Sequence, residues 1–277
     1  MSCPEYGTFA EFYDYVEPYR TRTDVDFFVD LGRACDGPLL EVGCGTGRIL
    51  LPCARAGAQA VGLDLSAPML GVLKASLARE PPDVRGRVRV VEGDMRHFDL
   101  GEQFALITMP FRSFQHALTQ DDQQATLRCV RRHLADGGRF VLDLFNPSIP
   151  FLGDAAWGRL PISEPEFQMP DGRRVTRSYR VLERDYLNQV QHVEFVIDLV
   201  HPDGRTEHRA EAFQVRYLFR FEAQYLLERE GFEVEALYCD YDRTPYGAKY
   251  PGELVFVARR GARAAVRQGA AGCAGAV

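Results

Sequence analysis

Short apolar runs alternate with amphipathic stretches between residues 38 and 147. The runs are compact and bounded by Gly or Asp, as expected of β-strands covered on both faces. The stretches between them have the apolar spacing of helices. This alternation predicts parallel strands with helical crossovers, and therefore a doubly wound α/β sheet. The predicted strands are Leu39–Val42, Ala58–Leu63, Val88–Glu92, Phe104–Met109 and Arg139–Leu144, and the predicted helices are Ile49–Ala56, Pro68–Glu80 and Gln123–Leu134.

The pattern changes after Pro147. Residues 173–219 contain three long segments rich in β-branched and aromatic residues, bordered by turn residues that include Pro170-Asp171-Gly172 and Pro202-Asp203-Gly204. They predict an antiparallel β insertion before the last helix, which serves as a substrate cover or as a dimer interface. The predicted organisation is an N-terminal helical cap (1–37), a core that binds the cofactor (38–147), the β insertion (148–219), a return to the core sheet (220–260) and a disordered tail (261–277).

Charge and cysteine content restrict the partners. The 277-residue chain has 33 Lys and Arg against 39 Asp and Glu, a net charge of −6, which disfavours a nucleic-acid partner and favours a small-molecule substrate. Its seven cysteines show no C-x-x-C pair and no zinc-ligand spacing, so we expect no metal site and a reducing compartment. Without a leader-like start or an apolar run of about 20 residues, we expect a cytoplasmic protein, monomer or homodimer, with no membrane partner.

The glycine-rich sequence Glu41-Val-Gly43-Cys-Gly45-Thr-Gly47 follows the first strand and precedes a helix. Glycines there allow a tight turn and close approach of a ligand at the carboxyl end of the sheet. A dinucleotide-binding loop requires G-x-G-x-x-G, but the position of its last glycine holds Arg48. A P-loop is excluded because no G-K-[ST] follows.

Acidic residues end the next two strands. Asp64 is placed to accept hydrogen bonds from ribose hydroxyls, and Asp94 to accept one from an adenine amino group, with Met95 packing on the ring. Each aspartate taken alone also fits a loop cap. The glycine-rich sequence and the two aspartates lie in register at the ends of three consecutive strands. Together these three features favour a pocket for an adenosyl cofactor.

At this point the sequence resembles the class I S-adenosylmethionine-dependent methyltransferases. The matching segments are EVGCGTG, GLDLS with Met69, EGDM, FALITMPF and LADGGRFVLDLFNP. The resemblance implies a Rossmann-like methyltransferase sheet with a reversed final strand, and S-adenosyl-L-methionine as cofactor. Within that family, the sequence most resembles bacterial small-molecule enzymes such as amino-sugar N,N-dimethyltransferases and glycine N-methyltransferase-like enzymes. The motifs that carry this narrower resemblance are less specific. The family resemblance implies that Gly43, Gly45 and Gly47 frame the methionine moiety, Glu41 organises the loop, Asp64 holds the ribose, and Asp94 and Met95 hold the adenine.

The expected function is methyl transfer to N or O of a small molecule by in-line displacement, which depends mainly on positioning. An NAD(P)-dependent oxidoreductase is the alternative enzyme, although position 48 and the lack of a Tyr-x-x-x-Lys pair count against it. A non-catalytic S-adenosylmethionine-binding protein is the third interpretation.

Candidates for the chemistry lie at the end of the fourth strand and near the N-terminus. His116 is a candidate general base or a partly buried helix histidine, and Arg112 a substrate anion partner or a solvated side chain. Tyr13 is a candidate catalytic pocket residue or a packing aromatic. The remaining expected cofactor contacts are Tyr19, Arg22, Leu65, Met69, Met109 and Phe111.

Overall fold

The structure is a computed structural model that describes residues 6–154, 156 and 158–261. All of the predicted tail except Gly261 lies outside the described residues. Among the helices of the described part, none is long and apolar enough to cross a bilayer.

The described chain contains helices and strands in the following order. The helices are α1 Glu17–Arg20, α2 Asp24–Ala34, α3 Leu50–Arg55, α4 Ala67–Leu77, α5 Pro82–Arg85, α6 Gln120–His133, α7 Ile149–Gly153 and α8 Arg220–Arg229, with 3₁₀ helices at Ala10–Tyr15 and Ser113–His116. The strands are β1 Leu39–Val42, β2 Ala60–Asp64, β3 Val88–Glu92, β4 Phe104–Met109, β5 Leu134–Phe145, β6 Ile162–Ser163, β7 Phe167–Gln168, β8 Arg174–Asp185, β9 Val190–Val200, β10 Thr206–Arg216, β11 Phe232–Tyr238 and β12 Glu253–Arg260.

Seven strands form the core sheet, in the order β11-β12-β5-β4-β1-β2-β3. Strands β1 to β5 pair in parallel, whereas β12 runs antiparallel to both β5 and β11. All residues of β1 are buried because the sheet is covered on both faces. The sheet reverses direction of winding beside β1, and ligands of open α/β sheets bind at such switch points. The doubly wound sheet and its reversed final strand are therefore as predicted.

A second, antiparallel sheet is inserted between β5 and α8. Its order is β10-β9-β8-β6, and β7 also pairs with β8. The three long strands β8, β9 and β10 match the predicted segments. Pro-Asp-Gly sequences precede β8 and connect β9 to β10, and the turn between β8 and β9 contains Gln189 with a positive φ of 56°. The antiparallel insertion before the last helix was thus predicted correctly, but β6 and β7 were not predicted.

The N-terminal segment, residues 6–19, lies between the two sheets. Phe9, Phe12 and Val16 are buried in one cluster with Val175 and Ile197 of the antiparallel sheet. On the other side, the Asp14 carboxylate accepts a hydrogen bond from the Thr46 hydroxyl at 2.6 Å. The segment therefore connects the insertion to the glycine-rich turn.

Candidate active site

A cavity of about 1380 Å³ opens between the carboxyl ends of β1, β2 and β4 and the antiparallel sheet. Ligand pockets commonly measure about 300–1,000 Å³. The cavity is therefore large enough for two molecules side by side, one at each sheet.

The glycine-rich turn forms the core-sheet end of the cavity. Gly43 and Gly45 have positive φ values of 77° and 51°, a conformation that glycine adopts without steric cost. A Cβ on Gly43 would lie 2.4 Å from the Ser113 hydroxyl oxygen, whereas one on Gly45 would face open cavity, with Met69 Cε at 3.9 Å. Gly45 therefore lets a ligand approach the backbone.

Two acidic residues border this turn. The Asp64 carboxylate accepts hydrogen bonds from the backbone N–H groups of Gly45 and Ser66, both at 2.8 Å, and burial raises the pKa of Asp64. Glu41 is 2% exposed, and its Oε2 atom has no hydrogen-bond partner among the described residues. Burial raises the pKa of Glu41 well above its usual value. Both carboxyl groups line the cavity and keep capacity to accept or donate further hydrogen bonds.

Asp94 and Met95 line the same end of the cavity. The Arg96 guanidinium hydrogen bonds with Asp94, lowers the pKa of that carboxyl group, and also reaches Asp122 of α6 at 3.1 Å. Asp94 is thus an oriented, ionised acceptor at the end of β3.

A cluster of charged and aromatic side chains surrounds Phe111. The Arg22 guanidinium lies 4.6 Å from the Phe111 ring centroid and 3.1 Å from Asp24, and Arg48 forms a bidentate pair with Asp24 at 2.7 Å. Arg22, Arg48 and Phe111 all line the cavity. Arg22 also has two further carboxylates at 3.6 and 3.9 Å, so the arginines are balanced by acidic groups and offer guanidinium N–H donors beside the glycine-rich turn.

The three catalytic candidates also line the cavity. His116 Nε2 lies 2.9 Å from the Tyr6 hydroxyl oxygen, and burial lowers the pKa of His116 to about 4. Burial raises the pKa of Tyr13, so its phenol stays protonated. Arg112 has a positive φ of 69°, and its guanidinium lies 3.5 Å from Glu253 and 5.1 Å from the Phe145 ring centroid. The structure therefore places all three side chains on the wall of the same cavity.

Among the expected cofactor contacts, Tyr19, Leu65 and Met69 line the cavity, but Met109 and Gly47 do not. Met109 is fully buried in the core cluster with residues of β5 and α6. Gly47 has a φ of 85°, and a Cβ there would lie 2.3 Å from Leu73 Cδ1. Gly47 is therefore required for packing against α4, and these two expectations are corrected.

Several cavity residues were not singled out from the sequence. They are Tyr6, Arg96, Glu164, Arg177 and Glu211, which lie on the lining together with Arg48. Asp143 at the end of β5 is also new: it is fully buried beside the cavity and hydrogen bonds with Phe111 and Tyr241. Burial raises the pKa of Asp143 to about 6. The positions of Asp24 and Asp143 next to arginines appear only in three dimensions.

These residues fit S-adenosylmethionine. The cofactor has an adenine, a ribose and a methionine moiety with both an ammonium and a carboxylate. The lining offers an oriented acceptor at Asp94, a carboxyl at Asp64, the Oε2 atom of Glu41, which has no partner within the described chain, and guanidinium N–H donors of Arg22 and Arg48. The open space at Gly45 lies among them.

Comparisons with known proteins agree with this geometry. Residues 39–138 match a family model described as "Methyltransferase domain". The chain is 29% identical over 240 residues to the cypemycin N-terminal methyltransferase of a Streptomyces species, covering 84% of this chain and 88% of that protein. It is 32% identical over 143 residues to a dTDP-3-amino-3,6-dideoxy-alpha-D-glucopyranose N,N-dimethyltransferase of Streptomyces fradiae, covering 50% and 53%.

The fold is also that of solved methyltransferases. The CcbJ methyltransferase of Streptomyces caelestis superposes with a TM-score of 0.74 at 25% identity, over 95% of this chain and 100% of that one. Other solved structures of this fold hold S-adenosylmethionine. The oxidoreductase and non-catalytic interpretations are not favoured. Residues 39–138 belong to the methyltransferase-domain family, and the enzyme is an S-adenosylmethionine-dependent methyltransferase.

Proposed function

We propose that the enzyme methylates an amine nitrogen of a small molecule or short peptide. The observation that carries this proposal is one continuous cavity that extends from the glycine-rich turn to the antiparallel sheet and has room for a small acceptor beside the cofactor. It is supported by the related enzymes, which act at a peptide N-terminus or on the nitrogen of an amino sugar.

The proposed cofactor contacts are Glu41, Gly43, Gly45, Asp64, Asp94 and Met95, with Tyr19, Arg22, Leu65, Met69 and Phe111 completing the site. When bound, S-adenosylmethionine supplies a methyl group on a sulfonium sulfur, which departs as a neutral thioether. The chain has to hold an uncharged acceptor nitrogen in line with that methyl group and exclude water.

The part of the cavity beside the N-terminal segment, here called the acceptor chamber, is suited to holding the acceptor nitrogen and excluding water. Tyr13 and Tyr19 lie 4.7 Å apart between ring centroids, and Tyr19 lies 4.9 Å from Phe111. Rings at this spacing shield the acceptor from solvent and attract cationic groups. His116, which is neutral at pH 7, and the Tyr13 phenol provide hydrogen bonds that orient the nitrogen. Arg112 borders the same chamber as a positioning residue.

The proposal is tested by calorimetry and by mass spectrometry. We expect the full chain to bind S-adenosylmethionine but not NAD, and to transfer one methyl group or two to primary amines but none to the matching alcohols. Transfer to alcohols alone would overturn the assignment of nitrogen, and binding of NAD alone would overturn the cofactor.

We further propose that the enzyme works in the cytoplasm without a nucleic-acid partner. The net charge of −6 and the five free cysteines of the described chain support this. Sedimentation of the purified chain distinguishes a monomer from a homodimer.

A further inference from the structure

Glu164 and Arg177 face each other on the acceptor side of the cavity. Glu164 directly follows β6, and its backbone N–H donates to the Arg177 carbonyl at 2.8 Å. Cross-strand neighbours of an antiparallel pair project to the same face. Arg177 Nη1 and Glu164 Oε2 are 3.2 Å apart, and the side chains are only 4% and 11% exposed. Both residues line the cavity.

This Glu164–Arg177 pair is incompletely hydrogen bonded. Within the described chain, Arg177 Nε and Nη1 and Glu164 Oε2 make no hydrogen bond of normal geometry. Buried polar groups in proteins are nearly always paired, and an unpaired one is costly. Arginine has five N–H donors in a fixed fork, so the contacts with Glu164 and with the Tyr19 hydroxyl leave the donors on Nε and Nη1 unused. A ligand in the cavity is the available partner.

The surroundings fix where that ligand lies. The Arg177 guanidinium carbon is 4.1 Å from the Phe195 ring centroid and 4.8 Å from that of Tyr19. Tyr19 in turn contacts Phe111 at the end of β4. Tyr19 therefore contacts both the Glu164–Arg177 pair and Phe111, so the pair borders the aromatic cluster that surrounds the proposed acceptor position.

We propose that the Glu164–Arg177 pair binds an oxygen substituent next to the amine of the acceptor. Arg177 donates to that oxygen, and Glu164 accepts from an N–H or O–H group of the same molecule. The ligand class is an amine with a hydroxyl or carbonyl oxygen on the neighbouring carbon, which occurs both in amino sugars and in peptide N-termini. A phosphate is disfavoured because Glu164 already neutralises Arg177 and repels anions. This inference rests on the proposed function.

Binding of matched probes to the full chain saturated with S-adenosylhomocysteine tests the proposal. The first probes are trans-2-aminocyclohexanol and cyclohexylamine, which differ only in the neighbouring hydroxyl. The second are L-alaninamide and isopropylamine, in which a methyl group replaces the carboxamide. We expect the oxygen-bearing member of at least one set to bind about 10- to 100-fold more tightly in calorimetry. The set that shows the preference identifies the sugar-like or the peptide-like source.

Variants assign the preference to the pair. Arg177→Met and Glu164→Gln are each expected to reduce it to within about twofold, and Arg177→Lys, which keeps the charge but not the fork, to reduce it partly. Arg174→Met and Glu166→Gln are the matched controls, because Arg174 at the start of β8 and Glu166 just before β7 form an exposed ion pair at 3.2 Å. The controls are expected to retain the preference.

Equal binding of both members in both sets, no binding of any probe, or a preference that survives Arg177→Met would overturn the proposal. S-adenosylmethionine affinity is measured on every variant. Wild type that binds the cofactor and methylates amines without any oxygen preference refutes only the role of this pair. Wild type that does not bind the cofactor refutes the proposed function itself.

Discussion

The Asp143 carboxylate accepts a hydrogen bond from the backbone N–H of Phe111 at 2.9 Å. Phe111 and Arg112 are consecutive non-glycine residues with positive φ values of 52° and 69°. Such residues cost on the order of 1–3 kcal/mol each and persist only where their surroundings hold them. Asp143 therefore fixes the turn that carries Phe111 to the cofactor end of the cavity.

Replacing Asp143 with Ala removes this acceptor. We expect the free energy of unfolding to fall by about 1–3 kcal/mol, because the Phe111 N–H and the Tyr241 hydroxyl lose their common partner. We also expect the dissociation constant of S-adenosylmethionine to rise about tenfold. Tyr241→Phe is the comparison variant, since it leaves the Phe111 hydrogen bond in place and removes only the contacts of the Tyr241 hydroxyl with Asp143 and Arg22. Urea denaturation and calorimetry measure both effects, and unchanged cofactor affinity in Asp143→Ala would contradict this role.

Asp64→Asn tests the second strand end. The amide keeps one oxygen acceptor for the backbone of the turn but loses the negative charge, so we expect cofactor affinity to fall about 10- to 100-fold. Asp203→Asn is a matched control, because Asp203 Oδ1 also accepts from a backbone N–H two residues later, in an exposed turn. Calorimetry on both variants decides the question. Equal affinity in the two would remove Asp64 from the cofactor site.

Gly45→Ala separates backbone strain from ligand approach. Gly45 and Gly101 have similar positive φ values of 51° and 69°, and neither has a close neighbour for an added Cβ. Both alanine variants are expected to lose about 1–2 kcal/mol of stability. Only Gly45→Ala is expected to lose cofactor binding, because its methyl group projects into the cavity. Thermal unfolding and calorimetry are compared, and normal cofactor affinity in Gly45→Ala would mean that the ligand lies elsewhere.

His116 gives a prediction for pH dependence. Burial lowers the pKa of His116 from 6.5 to about 4, so between these values the unfolded chain binds the proton more tightly than the folded chain. The contribution of His116 to stability therefore rises from about pH 4 to about pH 6.5 and is constant above. We expect the difference in unfolding free energy between wild type and His116→Phe to follow this rise. A difference that is flat from pH 4.5 to 7 would show that the imidazole titrates normally.

The same residue distinguishes orientation from proton transfer. A neutral imidazole with a pKa near 4 is a weak acceptor for an ammonium proton. We expect His116→Gln to lower kcat by less than about tenfold, whereas general bases typically contribute about 10²–10⁴-fold. Loss of 10² or more, with cofactor affinity unchanged, would establish His116 as the base.

The core sheet was predictable because its strands are short and uniformly apolar. Val88–Glu92 and Phe104–Met109 have the predicted bounds, since glycines precede both strands and Gly93 and Pro110 follow them directly. β5 begins five residues earlier than predicted, at Leu134, because Leu134 pairs with Phe104 of β4 and the Ala-Asp-Gly-Gly segment that follows lies in a register shift before Arg139. The two-residue strands β6 and β7 have no periodicity that a sequence pattern can display.

The positions of site residues were predictable from the sequence where those residues belong to one local motif. The glycine-rich turn and the aspartates at strand ends are contiguous with their strands, so their positions follow from the sheet. Met109 could not be separated from Phe111 in this way, because the direction of each side chain depends on the turn held by Asp143. Glu164 and Arg177 become neighbours of the glycine-rich turn only when the insertion folds over it, more than 110 residues away in sequence.

The two walls of the cavity are encoded by separate stretches of the chain. The glycine-rich turn and its aspartates belong to residues 41–95, whereas the wall with Arg177 and Phe195 belongs to the inserted sheet at 162–216. Under the proposed function, substitutions in the inserted sheet alter one wall of the acceptor site while they leave the glycine-rich turn and its aspartates unchanged. Acceptor choice and cofactor binding can therefore change independently in this fold.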